Sequence, residues 1–140
     1  QRSAQVITPE QNVADEYHAA GKYDVIIADE AQFFTPEQID QLRGIVDNED
    51  VPVLCFGLRT DFLTHCFPGS QRLLELADSI TEIKTVCACG RKATVNARIG
   101  EDGRIITKGD QVFLGVNDSY VAMCHKCWAD KIRAQQSEET

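Results

Sequence analysis

Basic residues are in short supply in this sequence: 14 Lys and Arg stand against 22 Asp and Glu, for a net charge of −8 and a pI near 4.8. Nonspecific affinity for nucleic acid comes mainly from Lys and Arg neutralising phosphates, so this deficit excludes that class of partner. Small or metal-complexed anions remain compatible with the charge. No apolar run approaches the ~18 residues of a membrane span, so no membrane role is expected. There is no internal repeat and no secretory signal, and a cytoplasmic location is the expectation. Without such a signal, Asn117-Asp118-Ser119 reads as a chance match to a glycosylation sequon. What is present is a 43% hydrophobic share over 140 residues, enough for one core with perhaps one appended module.

The run Tyr23-Asp24-Val25-Ile26-Ile27-Ala28-Asp29-Glu30-Ala31-Gln32-Phe33-Phe34 drives apolar residues straight into two carboxylates, an amide and two aromatics. Val25, Ile26 and Ile27 lack the alternation of a half-exposed strand, so a strand covered on both faces is expected, as in the centre of a parallel sheet. Open α/β sheets bind ligands at the C-terminal ends of their strands. Adjacent acids there would point in different directions and take different jobs. In phosphate-transferring enzymes the first acid of such a pair helps hold Mg²⁺, and the neighbour can accept a proton. The plainer reading is a strand end with two solvated acids.

Four of the six cysteines form two tight pairs, Cys87-Ala88-Cys89 and Cys124-His125-Lys126-Cys127. Two such pairs suit a closed, tetrahedral, four-thiolate structural zinc site, although the first pair is one residue short of the usual C-x-x-C spacing. Gly90 would allow the left-handed turn that brings backbone amides to the sulfurs. Disulfides compete for the same residues, but the apolar content makes staples unnecessary. His65 and His125 are expected to be bystanders.

Pattern and punctuation predict a helix capped near Thr8 and running to about Ala20, then a strand over 23–28. A second helix is predicted from Thr35 as N-cap, with Pro36 first and Gln38 three after the cap. A strand over 51–57 completes a βαβ unit. Residues 58–69 read as loop, 72–77 as helix, 80–86 as strand, and 93–107 as a hairpin around Gly100-Glu101-Asp102-Gly103. Phe34 and Phe56 are expected in the core. The organisation expected is a partial α/β domain over 1–85, a zinc-binding module over 86–130 and a flexible tail over 131–140.

Taken in order, DEAQFF, VLCFGLRTDF, CACGRKA and LGVNDSYVAMCHKCW resemble the type II thymidine kinases, the zinc-containing P-loop deoxynucleoside kinases. The resemblance spans about residues 23–128. It implies an α/β fold with a parallel P-loop NTPase-like (RecA-like) sheet and a C-terminal zinc-ribbon-like β module. The activity implied is transfer of the ATP γ-phosphate to the 5′-hydroxyl of thymidine or deoxyuridine, in pyrimidine salvage for DNA synthesis. It implies Glu30 as the base on that hydroxyl and Asp29 near Mg²⁺. Gln32, Phe33, Leu58, Phe62 and Phe67 would surround base and sugar, and residues 115–120 would form a lasso over thymine, with Gly115 and Tyr120 as its contacts. Cys87, Cys89, Cys124 and Cys127 would hold structural Zn²⁺. Mg²⁺ with ATP, feedback inhibition by dTTP and a homotetramer are further implications.

Two departures from the family pattern stand out. Val116 occupies a lasso position where many relatives have a second glycine, and a β-branched residue resists positive φ. No G-x-x-x-x-G-K-[ST] phosphate loop occurs anywhere in the 140 residues, so the sequence reads as the C-terminal two-thirds of such a kinase, inactive by itself. Two other classes share some features: a DEAD-box-like ATPase, through Asp29-Glu30-Ala31-Gln32, and a noncatalytic zinc-ribbon binding module on an α/β scaffold.

Overall fold

The computed structural model describes residues 3–111 and 118–138; Gly115 and Val116 therefore lie outside the described residues. The chain divides into two units, one formed by residues 1–59 and 67–80 and the other by residues 60–66 and 81–140.

The first unit is a small βαβ layer. Helix α1 (Val13–Ala20) begins at Asn12, whose side chain accepts the Asp15 N–H, and ends at Gly21 with φ of 116°. The expected cap at Thr8 instead opens a turn, its carbonyl accepting the Gln11 N–H. Strand β1 (Ile26–Ala28) pairs in parallel with β2 (Val53–Cys55), Ile26 opposite Val53 and Ala28 opposite Cys55, and α2 (Pro36–Glu49) connects them. Helix α2 starts as its sequence predicts. The Thr35 hydroxyl accepts the Gln38 N–H, the Gln38 side chain accepts the Thr35 N–H, and Pro36 fills the first helical position. Gln38 is buried because its amide also donates to the Thr8 and Gln11 carbonyls, tying the start of α1 to α2. Val13, Ile39, Leu42, Ile45 and Val51 form the core.

Two expectations fail here. Among the described residues the sheet is covered on one face: Ile27 is 66% exposed, and Val25, Leu54 and Phe56 are also open, so Phe56 lies outside the core that these residues form. Period-two alternation decides this, because Ala28 is buried while its neighbour Ile27 faces away. Helix α3 (Pro68–Leu76) starts earlier than its apolar pattern suggests, because Pro68 supplies the fixed φ of a first helical residue.

The second unit is built on two antiparallel pairs. Strand β3 (Thr85–Val86) pairs with β4 (Lys92–Ala93), and β5 (Val95–Ile99) pairs with β6 (Ser119–Met123). The strand expected over 80–86 shrinks to two residues, with Ile80 and Ile83 exposed. The predicted turn after β5 does form, since Gly100 and Arg104 are hydrogen-bonded and Ile99 bridges to Ile105, yet the long partner of β5 is β6. Helix α4 (His125–Glu138) runs through the segment expected as a flexible tail. Its Gln135 side chain explains the order: the amide donates to the Ile105 carbonyl and accepts the Ile105 N–H, pairing the helix with buried backbone. Cys87, Val95, Ala97, Ile105, Met123 and Cys124 form this unit's core. No described helix is long and apolar enough to cross a membrane.

Candidate functional site

In the first unit the carboxylates sit just past the C-terminal end of β1. The strand stops at Ala28, so a turn rather than strand alternation separates the two acids. Glu30 adopts a left-handed conformation (φ 52°, ψ 42°), which costs a non-glycine residue about 1 kcal/mol or more, and its N–H donates to Asp29 Oδ1 at 2.9 Å. Both acids are exposed. Gln32, buried in the 3-10 turn Ala31–Phe33, donates its amide to Glu30 Oε2 at 2.6 Å and accepts the Leu58 N–H at 3.2 Å. One buried side chain thus couples the acid after β1 to the chain after β2. Backbone bonds close the same junction, Phe56 N–H to the Ala28 carbonyl and Ala31 N–H to the Phe56 carbonyl, each at 2.9 Å.

Two glycines make this packing possible. A Cβ on Gly57 would lie 2.5 Å from Gln32 Oε1, and one on Gly69 would lie 2.3 Å from the Phe34 carbonyl oxygen. With Gly69 in place, the start of α3 abuts the 3-10 turn, and the Ser70 hydroxyl donates to the Leu58 carbonyl. Phe33 and Leu58 stay nearly half exposed beside the acids, and Phe67, buried at the N-cap of α3, meets the Phe33 ring edge-on at 5.7 Å. Of the residues singled out from the sequence, Asp29, Glu30, Gln32, Phe33, Leu58 and Phe67 therefore share the first unit. The arrangement offers a solvent-accessible carboxylate held by a buried amide donor, next to apolar and aromatic surface.

Phe62 and Tyr120 belong to the second unit. Tyr120 is half exposed on β6, whereas Phe62 is 2% exposed with the Arg98 guanidinium carbon 5.1 Å from its ring centroid. Phe62 and Phe67 thus both have packing duties that their loop-like sequence context did not reveal. Residues 60–66 are closed by Asp61, which accepts the Leu63 and His65 N–H groups on one carboxylate oxygen and the Gln111 amide on the other. Asp61 and Arg98 had no signal beyond an Asx-turn context and a charge between the apolar Ala97 and Ile99.

The four paired cysteines meet in the second unit, their sulfurs all within 4.8 Å of one another and Cys89 Sγ 3.6 Å from Cys124 Sγ. A tetrahedral ion with metal–sulfur bonds of about 2.3 Å spaces its sulfurs about 3.8 Å apart, so the four thiols can hold such a metal. The turn that positions the first pair runs from Cys87 to Gly90, with the Gly90 N–H on the Cys87 carbonyl and Gly90 at φ 94°. At the second pair the Cys127 N–H donates to Cys124 Sγ, with Cys127 in the first turn of α4. The backbone N–H of Cys89, ahead of further bonds, pulls the Cys87 thiol down to about 6. Crowding works the other way at Cys127, pushed up to about 12 by Cys124 first and then by Cys89 and Cys87. A cation among the sulfurs removes that conflict. All six cysteines are free thiols, and exposed His125 packs on Trp128 outside the sulfur group.

Known proteins match this chain closely. The family model described as thymidine kinase matches residues 2–128. A protein of Legionella pneumophila named thymidine kinase is 55% identical over 105 residues, 75% of this chain and 50% of that protein. One of the same name from Chromobacterium violaceum is 51% identical over 111 residues, 79% of this chain and 60% of that protein. Another, from Ruegeria pomeroyi, is 47% identical over 130 residues, 91% of this chain and 66% of that protein. The chain thus spans about half to two thirds of the length of these relatives. Because the family match takes in both the carboxylate turn after β1 and the two cysteine pairs, the chain belongs to the thymidine kinase family.

Proposed function

We propose that this chain carries the acceptor side of an ATP-dependent thymidine kinase, with Glu30 as the base that takes the proton of the nucleoside 5′-hydroxyl. The observation that supports it best is the Gln32 to Glu30 hydrogen bond at 2.6 Å, which fixes an exposed carboxylate at the end of β1 from a fully packed support. An alcohol is far too weak an acid to ionise at neutral pH, so a carboxylate within hydrogen-bond reach that accepts the proton late in the transfer is sufficient. Asp29 is exposed and offers the hard oxygen donor that suits Mg²⁺, which when bound neutralises charge on the donor phosphates. Phe33 and Leu58 would give a pyrimidine its apolar contacts, with Gln32 beside them and Phe67 bracing Phe33 from behind.

The sheet would be that of a P-loop NTPase, and Zn²⁺ on Cys87, Cys89, Cys124 and Cys127 would be structural, since four thiolates leave no open position for substrate. The family resemblance alone supports nucleoside contacts by Phe62, Gly115 and Tyr120. It likewise supports thymidine or deoxyuridine as acceptor in pyrimidine salvage, feedback by dTTP, a homotetramer and a cytoplasmic setting. The deciding experiment assays the full-length protein with thymidine and Mg·ATP, alongside Glu30→Gln. The amide keeps the shape but cannot accept the proton, so turnover is expected to fall about 10²- to 10⁴-fold with zinc content and fold unchanged. Turnover within threefold of wild type would move the base elsewhere, with Asp29 the first residue to test.

A further inference from the structure

Arg98 lies in β5 between apolar neighbours and is 1% exposed, an unusual place for a guanidinium. Burial of such a charge requires pairing, and its Nε donates to the Asp118 carboxylate at 3.0 Å. Its planar group also covers the ring of buried Phe62. Gly109, at φ +128°, passes so close that a Cβ there would lie 3.8 Å from both Arg98 Nη1 and Phe62 Cζ. In the β5–β6 register Arg98 stands opposite Tyr120, two residues beyond Asp118, and directly opposed residues of an antiparallel pair project from the same face. One buried cation therefore borders Phe62, Gly109 and the start of β6. Stability alone does not call for it, because apolar side chains of similar volume commonly replace buried ion pairs without loss. An apolar side chain cannot supply a rigid planar fork that fixes the direction of a carboxylate and the tilt of a ring together.

We propose that Arg98 is a positioning residue for nucleoside recognition: held by Asp118, it sets the places of Phe62 and of the β6 segment that carries Tyr120. The inference rests on the reading of Phe62 and Tyr120 as nucleoside contacts. The Arg98 guanidinium is engaged with Asp118 and the Phe62 ring, so its loss acts through these neighbours and falls on the acceptor nucleoside and not on the phosphate donor.

The test compares the full-length, zinc-loaded wild-type protein with Arg98→Met, Arg98→Lys and Asp118→Asn. KM is measured for thymidine at saturating ATP and for ATP at saturating thymidine, with zinc content and the unfolding midpoint recorded for each variant. Arg98→Met is expected to raise the thymidine KM about tenfold or more while the ATP KM stays within about twofold. Arg98→Lys, which keeps the charge but not the plane, should fall between. Asp118→Asn keeps the shape of the pair and should raise the thymidine KM in the same direction, which covers the case in which Arg98→Met fails to fold. Thymidine KM values for Arg98→Lys and Asp118→Asn within twofold of wild type, or equal rises for both substrates, would overturn the positioning role. A wild-type protein that transfers no phosphate to thymidine would overturn the functional reading and this inference together, whereas wild-type turnover with unmoved KM values sinks the inference alone.

Discussion

At the scale of single residues, the carboxylate turn depends on what is missing at position 57 as much as on what is present at 30 and 32. The Gly57 backbone lies against Gln32, so a methyl there meets the side-chain oxygen at 2.5 Å and the backbone nitrogens of Gln32 and Ala31 at 3.0 and 3.1 Å. The backbone atoms cannot swing away. Gly57→Ala is therefore expected to destabilise the protein by about 1–3 kcal/mol in denaturant unfolding, as overpacked sites do. It should also lower thymidine turnover, because a displaced Gln32 no longer holds Glu30; full activity and an unchanged midpoint would mean that the junction yields easily. The sequence reveals the acids and the amide by their place after an apolar run. It hides the left-handed backbone of Glu30 and the role of Gly57, because both depend on β2 arriving beside the turn, a contact between residues well apart in the chain.

At the scale of elements, those marked by local chemistry are the legible ones. Helix α2 begins where Thr35, Pro36 and Gln38 say it should, and the βαβ order follows from its flanking apolar runs. The elements misread are those whose extent is set by partners. Among the described residues the sheet face bearing Ile27 and Leu54 is open although its residues suit burial, and α4 continues to Glu138 through a largely polar segment in which Ile132 packs on the second core. Gln135 supplies the missing reason. It satisfies both backbone groups of Ile105, which is 4% exposed. Gln135→Ala leaves a buried N–H and C=O without that partner and is expected to cost about 1–3 kcal/mol. Hydrogen exchange should show faster exchange at Ile105 and in the last turns of α4, with α2 unaffected; unchanged protection at Ile105 would show that the pairing contributes little.

At the scale of the whole molecule, two separate cores imply two separate vulnerabilities. The second core includes Cys87 and Cys124 themselves, so the proposed zinc would be part of its packing, while the first core contains no cysteine among its buried members. Structural zinc sites in small domains bind with about 10–16 kcal/mol, far more than such a unit's own stability. Chelation, or Cys124→Ser, is thus expected to abolish one equivalent of bound zinc and the amide protection of β5 and β6, leaving α2 protected. Metal analysis and hydrogen exchange on the same samples check this, and protection of β5 that survives complete metal loss would refute a structural role for the ion. The division of the chain carries a genetic consequence as well. The polypeptide leaves the first unit after Arg59, returns at Phe67 and leaves again after Ile80. Neither unit is then a contiguous cassette: a recombination joint at residue 80 would transplant the cysteine unit without Asp61 and Phe62, the residues that meet Gln111 and Arg98 inside it. The two segments of the second unit must be inherited together, and chimaeras between relatives should keep 60–66 and 81–138 from the same parent.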